Sequence, residues 1–230
     1  MSVIEQIRAE LLTLKDAGNQ AFVAKLLPTK APEQILGTKI PVLRAFAKQV
    51  FKQGRAEEFL KELPHFYLEE DLLNGFLIEQ IKDFSHAMEL TEAFLPFIDN
   101  WMVCDTFSPK IFKKFPVPVY ENIKSWLTSS HTYILRYAIG LLLSNFLDEN
   151  FQPEMLDLVA LVQSEEYYVQ MMQAWYFATA LAKQEKATLP LIESQILSPF
   201  VQNKTIQKAR ESRRISAQMK EKLLAWKLKS

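Results

Sequence analysis

The sequence predicts an all-α protein: a right-handed α-solenoid in which HEAT-like helix pairs stack and form a concave groove. Apolar residues recur three and four apart along most of the chain, as on the buried face of a helix, whereas the alternation typical of strands is hard to find. Eleven prolines divide these segments into pieces of helix length. Since 49% of the 230 residues are hydrophobic, the chain can also fill a sizeable core.

The apolar periodicity predicts helices at seven places. Pro41 is predicted to open a helix and Pro64 to end one. The predicted segments are Ile4–Leu14, Leu43–Phe51, Leu72–Ile81, Ile111–Phe115, Ile134–Leu147, Met155–Val162 and Val169–Leu181.

Three prolines, Pro116, Pro153 and Pro190, are spaced 37 residues apart, a period in the range of two-helix solenoid repeats. Each is followed by a short and then a longer predicted helix: Val119–Leu127 and Tyr133–Leu147, Met155–Gln163 and Tyr167–Lys183, Leu191–Leu197 and Lys204–Ser212. Because one helix pair cannot bury its own apolar face, the pairs should stack into a single domain over residues 1–230. The second helices would then line the groove and carry functional residues. The alternative is that the equal spacing arose by chance.

The composition excludes several classes of function. Cys104 is the only cysteine, so an intramolecular disulfide and a cysteine-based zinc site are impossible, and we expect a packed, inert thiol. The five glycines match neither nucleotide-binding fingerprint, and the three histidines are isolated. No apolar run is long enough to cross a membrane. We therefore expect a cytoplasmic protein without metal or cofactor.

Positive charge is concentrated at the C-terminal end. The whole chain has zero net charge, but residues 202–230 hold nine Lys or Arg against two Glu. Such a segment could bind nucleic-acid phosphates, or it could be a solvated terminal helix pair. The candidate DNA-binding residues here are Lys204, Lys208, Arg210, Arg213 and Arg214.

Four residues are candidates for a catalytic site. Trp101 and Asp105 are four residues apart and so share one helix face. Arg136 interrupts an apolar helix, and Trp175 lies on the second helix of the next repeat. If the repeats are in register, all four line one concavity, a suitable environment for a cationic transition state. Alternatively, either tryptophan belongs to the core, and Asp105 caps a helix or pairs with a nearby cation.

The order of these motifs resembles the HEAT-like-repeat DNA glycosylases of the AlkD family. The resemblance rests on Trp-x-x-x-Asp at 101–105, Leu-Arg-x-Ala-Ile at 135–139, Gln-x-x-x-Ala-Trp at 170–175, and the Leu-Gly-x-x-x-Pro-x-x-Arg segment that ends at Arg44. It extends from near residue 35 to the C-terminus. It implies a monofunctional glycosylase, acting as a monomer, that removes cationic N3- and N7-alkylpurines from double-stranded DNA, with Arg44 among the DNA-binding residues.

The resemblance also implies a role for each residue. Asp105 would stabilise the oxocarbenium-like deoxyribose and align the attacking water, as carboxylates do in glycosidases. Trp101 and Trp175 would lie against the sugar and the cationic nucleotide. Arg136 would contact the DNA backbone and support Asp105. The family works without drawing the base into a deep pocket, so a shallow groove suffices.

The chain departs from the pattern of active members at three places. Met171 and Ala178 stand where basic residues flank the second tryptophan, and residues 27–32, with two prolines, replace a short helix that carries an aromatic residue. Two alternatives therefore stand beside the glycosylase: a catalytically silent relative that binds unusual DNA structures, and a HEAT-type protein scaffold.

Overall fold

The computed structural model of the chain describes residues 2–229, and over this range it is helical without a strand, which confirms the predicted fold class. Contacts divide the chain into two compact units, unit 1 ending at Phe115 and unit 2 beginning at Pro116. Unit 1 contains α1 Val3–Thr13, α2 Ala17–Leu26, α3 Ile40–Lys52, α4 Ala56–Leu60, α5 Leu68–Ile78, α6 Phe84–Phe94 and α7 Trp101–Thr106. Unit 2 contains α8 Pro116–Trp126, α9 Thr132–Asn145, α10 Glu154–Leu161, α11 Tyr167–Lys183, α12 Glu185–Glu193, α13 Pro199–Glu211 and α14 Ala217–Leu223.

Unit 1 is built around α5, whose eleven residues are all buried. Helices α3, α4, α6 and α7 pack against it. The buried set includes three consecutive acidic residues in its first turn, Glu69, Glu70 and Asp71. A buried carboxylate is costly unless it is hydrogen-bonded or paired, so each of the three has dedicated partners.

Glu69 holds the loop before α3. Its carboxylate accepts hydrogen bonds from the backbone N–H groups of Leu36 (2.8 Å) and Gly37 (2.7 Å). Gly37 has a φ of +80°, and a Cβ there would lie 2.3 Å from the Asp16 carbonyl oxygen. The Leu-Gly pair of the motif therefore serves the fold, because only glycine fits this close approach.

Glu70 and Asp71 link α5 to the N-terminal part of the chain. Arg8 forms a bidentate ion pair with Glu70, at 2.7 and 3.2 Å. The Glu70 carboxylate also accepts hydrogen bonds from the backbone N–H groups of Phe66 and Tyr67. Asp71 pairs with the Lys30 ammonium at 3.4 Å.

Unit 2 is built around α11, which packs against α9, α10, α12 and α13. Helix α8 packs against α9, and α14 against α13. Contacts between helices that are close in sequence are what stacked helix pairs require. The buried side of α11 is almost entirely apolar, with Tyr176, Phe177 and Leu181 fully buried. Gln173 is the polar member, and its amide donates to the carbonyls of Val159 and Val162 at the end of α10.

Several predicted elements are confirmed, among them α3 with Pro41 in its first turn and α11 over Tyr167–Lys183. Other predictions were wrong in detail: α5 begins at Leu68 and not at Leu72, and α13 begins at Pro199 and not at Lys204. Residues Lys110–Lys114 form a 3-10 helix instead of an α-helix, because Pro116 follows too soon for a longer one.

Pro190 lies inside α12, which begins at Glu185. The polar residues of its first turn carry no apolar periodicity, so the sequence pattern places the start of this helix too late. Pro116 and Pro153, in contrast, stand at the starts of α8 and α10. The 37-residue spacing therefore marks equivalent positions in two of the three repeats.

Candidate nucleic-acid interface

The short helix α7 carries Trp101 and Asp105. Asn100 caps it by accepting a hydrogen bond from the Val103 N–H (3.0 Å), which stabilises its first turn. Asp105 is exposed, whereas Trp101 is half-buried and its indole N–H donates to the Leu26 carbonyl at the end of α2 (3.3 Å). Cys104, between them, is buried as expected. The structure therefore places one candidate carboxylate in solvent on a capped helix.

Arg44 and Glu79 hold the C-terminal end of α7. The Arg44 guanidinium pairs with Glu79 at 2.5 Å, lies 3.9 Å from the centre of the Phe76 ring and donates to the Thr106 carbonyl (3.2 Å). Glu79 also accepts from the Ser108 N–H (2.9 Å). Arg44, predicted to bind DNA, thus fixes the residue that follows Asp105, although 42% of its side chain stays exposed.

Lys30 holds the other end of α7. Residues 27–32 form no α-helix, in agreement with the prediction from the two prolines, although a short 3-10 helix begins at Pro32. Lys30 is buried within this segment and pairs with Asp71 (3.4 Å) and with Asp99 (2.9 Å), which directly precedes the cap Asn100. Burial alone would lower the pKa of Lys30, but the two carboxylates raise it overall. Burial also raises the pKa of Asp71 to about 7, although the Lys30 charge acts against this.

In unit 2, Trp175 lies on the solvent side of α11. It is 47% exposed, so the interpretation of this tryptophan as a core residue is wrong. The Lys208 ammonium lies 5.2 Å from the centre of its ring, within cation–π range. Both residues line a cavity of about 360 Å³, called here the Trp175 cavity, together with Ala178, Thr179, Ala182, Glu211, Ser212 and Arg214.

Arg136 is 5% exposed and donates from its guanidinium to the Tyr168 carbonyl in the first turn of α11 (2.6 Å). The positive charge of the Arg136 guanidinium acts electrostatically on the Lys208 ammonium. Burial lowers the pKa of Lys208. The Glu211 carboxylate acts against this, and the charges of Lys204 and Arg136 add to the lowering. Lys208 and Arg214 thus bring positive charge to the cavity of the exposed Trp175 indole, offset in part by Glu211, and this charge can attract phosphate.

The five C-terminal cations predicted to bind DNA do not form one patch. Lys208 and Arg214 line the Trp175 cavity, whereas Lys204 and Arg210 line a larger groove between α13 and α14. Arg213 is exposed in the turn after α13. The charge run in the sequence does not show this division, because cations that are close in sequence lie on different faces of a helix.

The two uncharged positions beside Trp175 are Met171 and Ala178. Met171 lies one turn before Trp175 and is half-buried, and Ala178 lines the Trp175 cavity. Neither brings positive charge to the indole. Lys208 and Arg214, from the neighbouring helix and the turn after it, supply the cations there instead.

Sequence reasoning missed the residues that hold α7 in place: Lys30, Glu79 and Asp99. The sequence signal for these three residues is weak, because each is a charged residue in a segment whose composition is typical of the surface. Groups of His, Cys, Asp or Glu that could hold a metal ion do not occur among residues 2–229, nor does a helix with the length and hydropathy of a membrane span.

Fold and site together define an all-helical protein with an exposed carboxylate on one capped helix and a cationic, aromatic cavity on another. A family model described as DNA alkylation repair enzyme matches residues 7–214. The chain belongs to this family, and its role is in DNA repair. No curated protein matches the chain significantly.

Proposed function

We propose that the protein is a monofunctional DNA glycosylase that hydrolyses the N-glycosidic bond of cationic N3- and N7-alkylpurines in duplex DNA. The observation that carries the proposal is Asp105, an exposed carboxylate on a helix fixed at both ends, in a chain of the DNA alkylation repair family. A carboxylate placed in this way can act on developing positive charge without first rearranging.

The chemistry needs little more than such a carboxylate. An alkylated purine already carries positive charge and leaves as a neutral base, so no general acid is required. As the bond breaks, positive charge moves to the deoxyribose, where Asp105 stabilises it and accepts the proton of the attacking water. The products are the free base and an abasic site.

Binding is assigned to the residues around the two tryptophans. Trp175, with Lys208 beside its ring, offers an indole face and a positive charge to a cationic nucleotide and its phosphate. Trp101 lies against the sugar. Arg136 is buried and bonded to the Tyr168 carbonyl, so it supports the first turn of α11 and does not reach the DNA backbone. Arg214, Lys204, Arg210, Arg213 and the exposed part of Arg44 add the positive potential that duplex binding needs.

The test compares wild type with Asp105→Asn for release of 7-methylguanine and 3-methyladenine from methylated duplex DNA, with DNA affinity measured on the same samples. We expect wild type to release both bases and the variant to be slower by about 100-fold or more, because it loses one electrostatic contact to the transition state. DNA affinity should not fall, because the uncharged amide replaces a carboxylate that repels phosphate.

Asp157→Asn is the matched control, because Asp157 is an exposed carboxylate on α10 in unit 2. This variant should release bases at the wild-type rate. Full activity in Asp105→Asn would contradict the assigned role of Asp105.

A second candidate function is supported by Met171, Ala178 and the absence of an α-helix over residues 27–31. In this alternative the protein binds unusual DNA structures without excision. It predicts no base release by wild type, together with DNA binding that weakens when Arg210, Arg213 and Arg214 are neutralised. If neither damaged nor branched DNA binds at low salt, a protein scaffold is the remaining interpretation.

A further inference from the structure

Unit 2 carries a row of aromatic rings at the start of three successive long helices. Tyr133 of α9 lies 6.0 Å from Tyr168 of α11, measured between ring centres. Tyr167 lies 5.4 Å from Tyr168 and 5.9 Å from Phe200 of α13. We call these four residues the aromatic row. None of them was predicted as a site residue.

Tyr167 is the exposed member of the aromatic row. It is 55% exposed, although Tyr168 and Phe200 both meet its ring at steep angles, 80° and 67°. Edge-to-face contacts of this kind restrict the ring. An exposed aromatic side chain that is already ordered loses little entropy when another ring stacks on it.

Positive charge lies at the Phe200 end of the row. The Lys204 ammonium is 5.9 Å from the centre of the Phe200 ring and donates to the neutral Gln207 amide oxygen (2.9 Å), and neither partner cancels its charge. At the other side, the exposed Glu165 and Glu166 directly precede Tyr167. The electrostatic potential therefore favours phosphate only on the Lys204 side.

Phe200 and Lys204 also line the groove between α13 and α14, which has a volume of about 850 Å³. Its charged lining consists of four cations and two anions: Lys204, Arg210, Lys220, Lys227, Glu211 and Glu221. The Trp175 cavity takes its cations, Lys208 and Arg214, from other positions. The groove is therefore a second basic surface, and Phe200 links it to the aromatic row.

We propose that the aromatic row and this groove bind unpaired nucleotides of DNA, such as a single-stranded overhang that continues from a bound duplex. A base stacks on the exposed Tyr167 ring, the half-buried Phe200 supports that ring, and phosphates follow Lys204 into the groove. Exposed rings beside a cationic groove are how proteins hold single strands without reading their sequence, because every base has an aromatic face. The site shares Lys204 and Arg210 with the proposed duplex-binding surface, but Tyr167 and Phe200 take no part in base excision.

The experiment measures fluorescence anisotropy of the full chain with three labelled DNAs that share one undamaged duplex: a blunt end, a 3′ overhang of thymidines, and the same overhang built from abasic sugars. Wild type should bind the thymidine overhang about tenfold more tightly than the blunt duplex. Tyr167→Ala and Phe200→Ala should each remove most of this gain and leave the affinity for the blunt duplex unchanged.

Two variants are matched controls. Phe97→Ala removes another exposed ring, 40% exposed in unit 1. Lys124→Ala removes a lysine that, like Lys204, lies over a ring, 5.2 Å from Tyr120, but is paired with Glu121. Both should bind all three DNAs like wild type. Lys204→Ala should weaken the thymidine and abasic overhangs by the same factor, and the blunt duplex by a smaller one, because Lys204 also adds to the charge that binds duplex.

Equal affinity of wild type for the blunt duplex and the thymidine overhang would overturn the proposal. So would an abasic overhang that binds as tightly as the thymidine one, since the contact would then be with phosphate alone. If the protein releases no base but prefers the thymidine overhang, the glycosylase proposal is refuted and the single-strand site is supported. Base release without a preference for the overhang would support the glycosylase and overturn the single-strand site.

Discussion

The central helices of the two units are buried by different means. In unit 1, α5 buries Glu69, Glu70 and Asp71, and each is satisfied by a residue 30 or more positions earlier in the chain. In unit 2, α11 buries mostly apolar side chains. Ion pairs position side chains with directional precision, whereas apolar packing supplies stability that is insensitive to pH.

The difference matters for the two tryptophan-bearing helices. Helix α7 has six residues, too few to be stable by itself, and it depends on the ion pairs of Lys30 and Arg44 at its two ends. Helix α11 has seventeen residues and is fixed by packing along its length. We therefore expect the position of Asp105 to depend on buried charges and that of Trp175 to depend on core packing.

The largest expected effect on unit 1 comes from Lys30→Met. This change leaves Asp71 buried without its cation, which costs about 3–5 kcal/mol when the carboxylate is ionised. Urea unfolding at pH 8 measures the loss, and hydrogen exchange should show faster opening of α7. Lys25→Met, an exposed lysine of the preceding helix, should be close to neutral. An equally small loss for Lys30→Met would show that the buried pair does not organise unit 1.

In unit 2 the corresponding change is Leu181→Ala, in the cluster that joins α11 to Ile192, Ile206 and Leu223. Removing a fully buried leucine side chain should cost about 3 kcal/mol through lost burial and the cavity that remains. The loss should be the same at pH 5 and pH 8 by urea unfolding. Leu161→Ala, at a 72% exposed position, is the control. A loss that varies with pH would contradict the contrast between the units.

A smaller effect is expected from Asp71→Asn, and it depends on pH. The pKa of Asp71 is raised from 3.8 to about 7, so its ionisation destabilises the folded state as pH rises from about 4 through 7. Between pH 5 and 7 wild type should lose about 2 kcal/mol relative to the variant. The free energy of unfolding, measured by urea titration at each pH, checks this. The free energy of unfolding of Asp157→Asn should vary with pH as that of wild type does. The same variation in Asp71→Asn would refute the raised pKa of Asp71.

Much of the helical structure follows from local sequence. The bounds of α11 agree with the prediction, because its apolar residues recur over several turns. Helices α2 and α6 were not predicted, and α12 was predicted to start too late, since their polar and apolar residues are less regularly placed. Trp101 and Asp105 lie four residues apart on one short helix, as the spacing predicts.

Burial of acidic residues could not be predicted in the same way. Three acidic residues at the start of a helix usually indicate a solvent-exposed first turn that complements the helix dipole. In α5 they are buried because Arg8, Lys30 and the Leu36–Gly37 backbone approach from elsewhere in the chain. Partners so distant in sequence leave no local periodicity.

The sequence by itself determined the helical fold class, the proline at the start of unit 2 and the types of residue available for chemistry, because these depend on local periodicity and on side-chain identity. The tertiary structure alone decided which charges are buried, that Trp175 faces solvent, and that the C-terminal cations divide between two cavities. The physical reason is that burial and charge pairing are set by contacts between helices, and a residue's neighbours in space are not its neighbours along the chain.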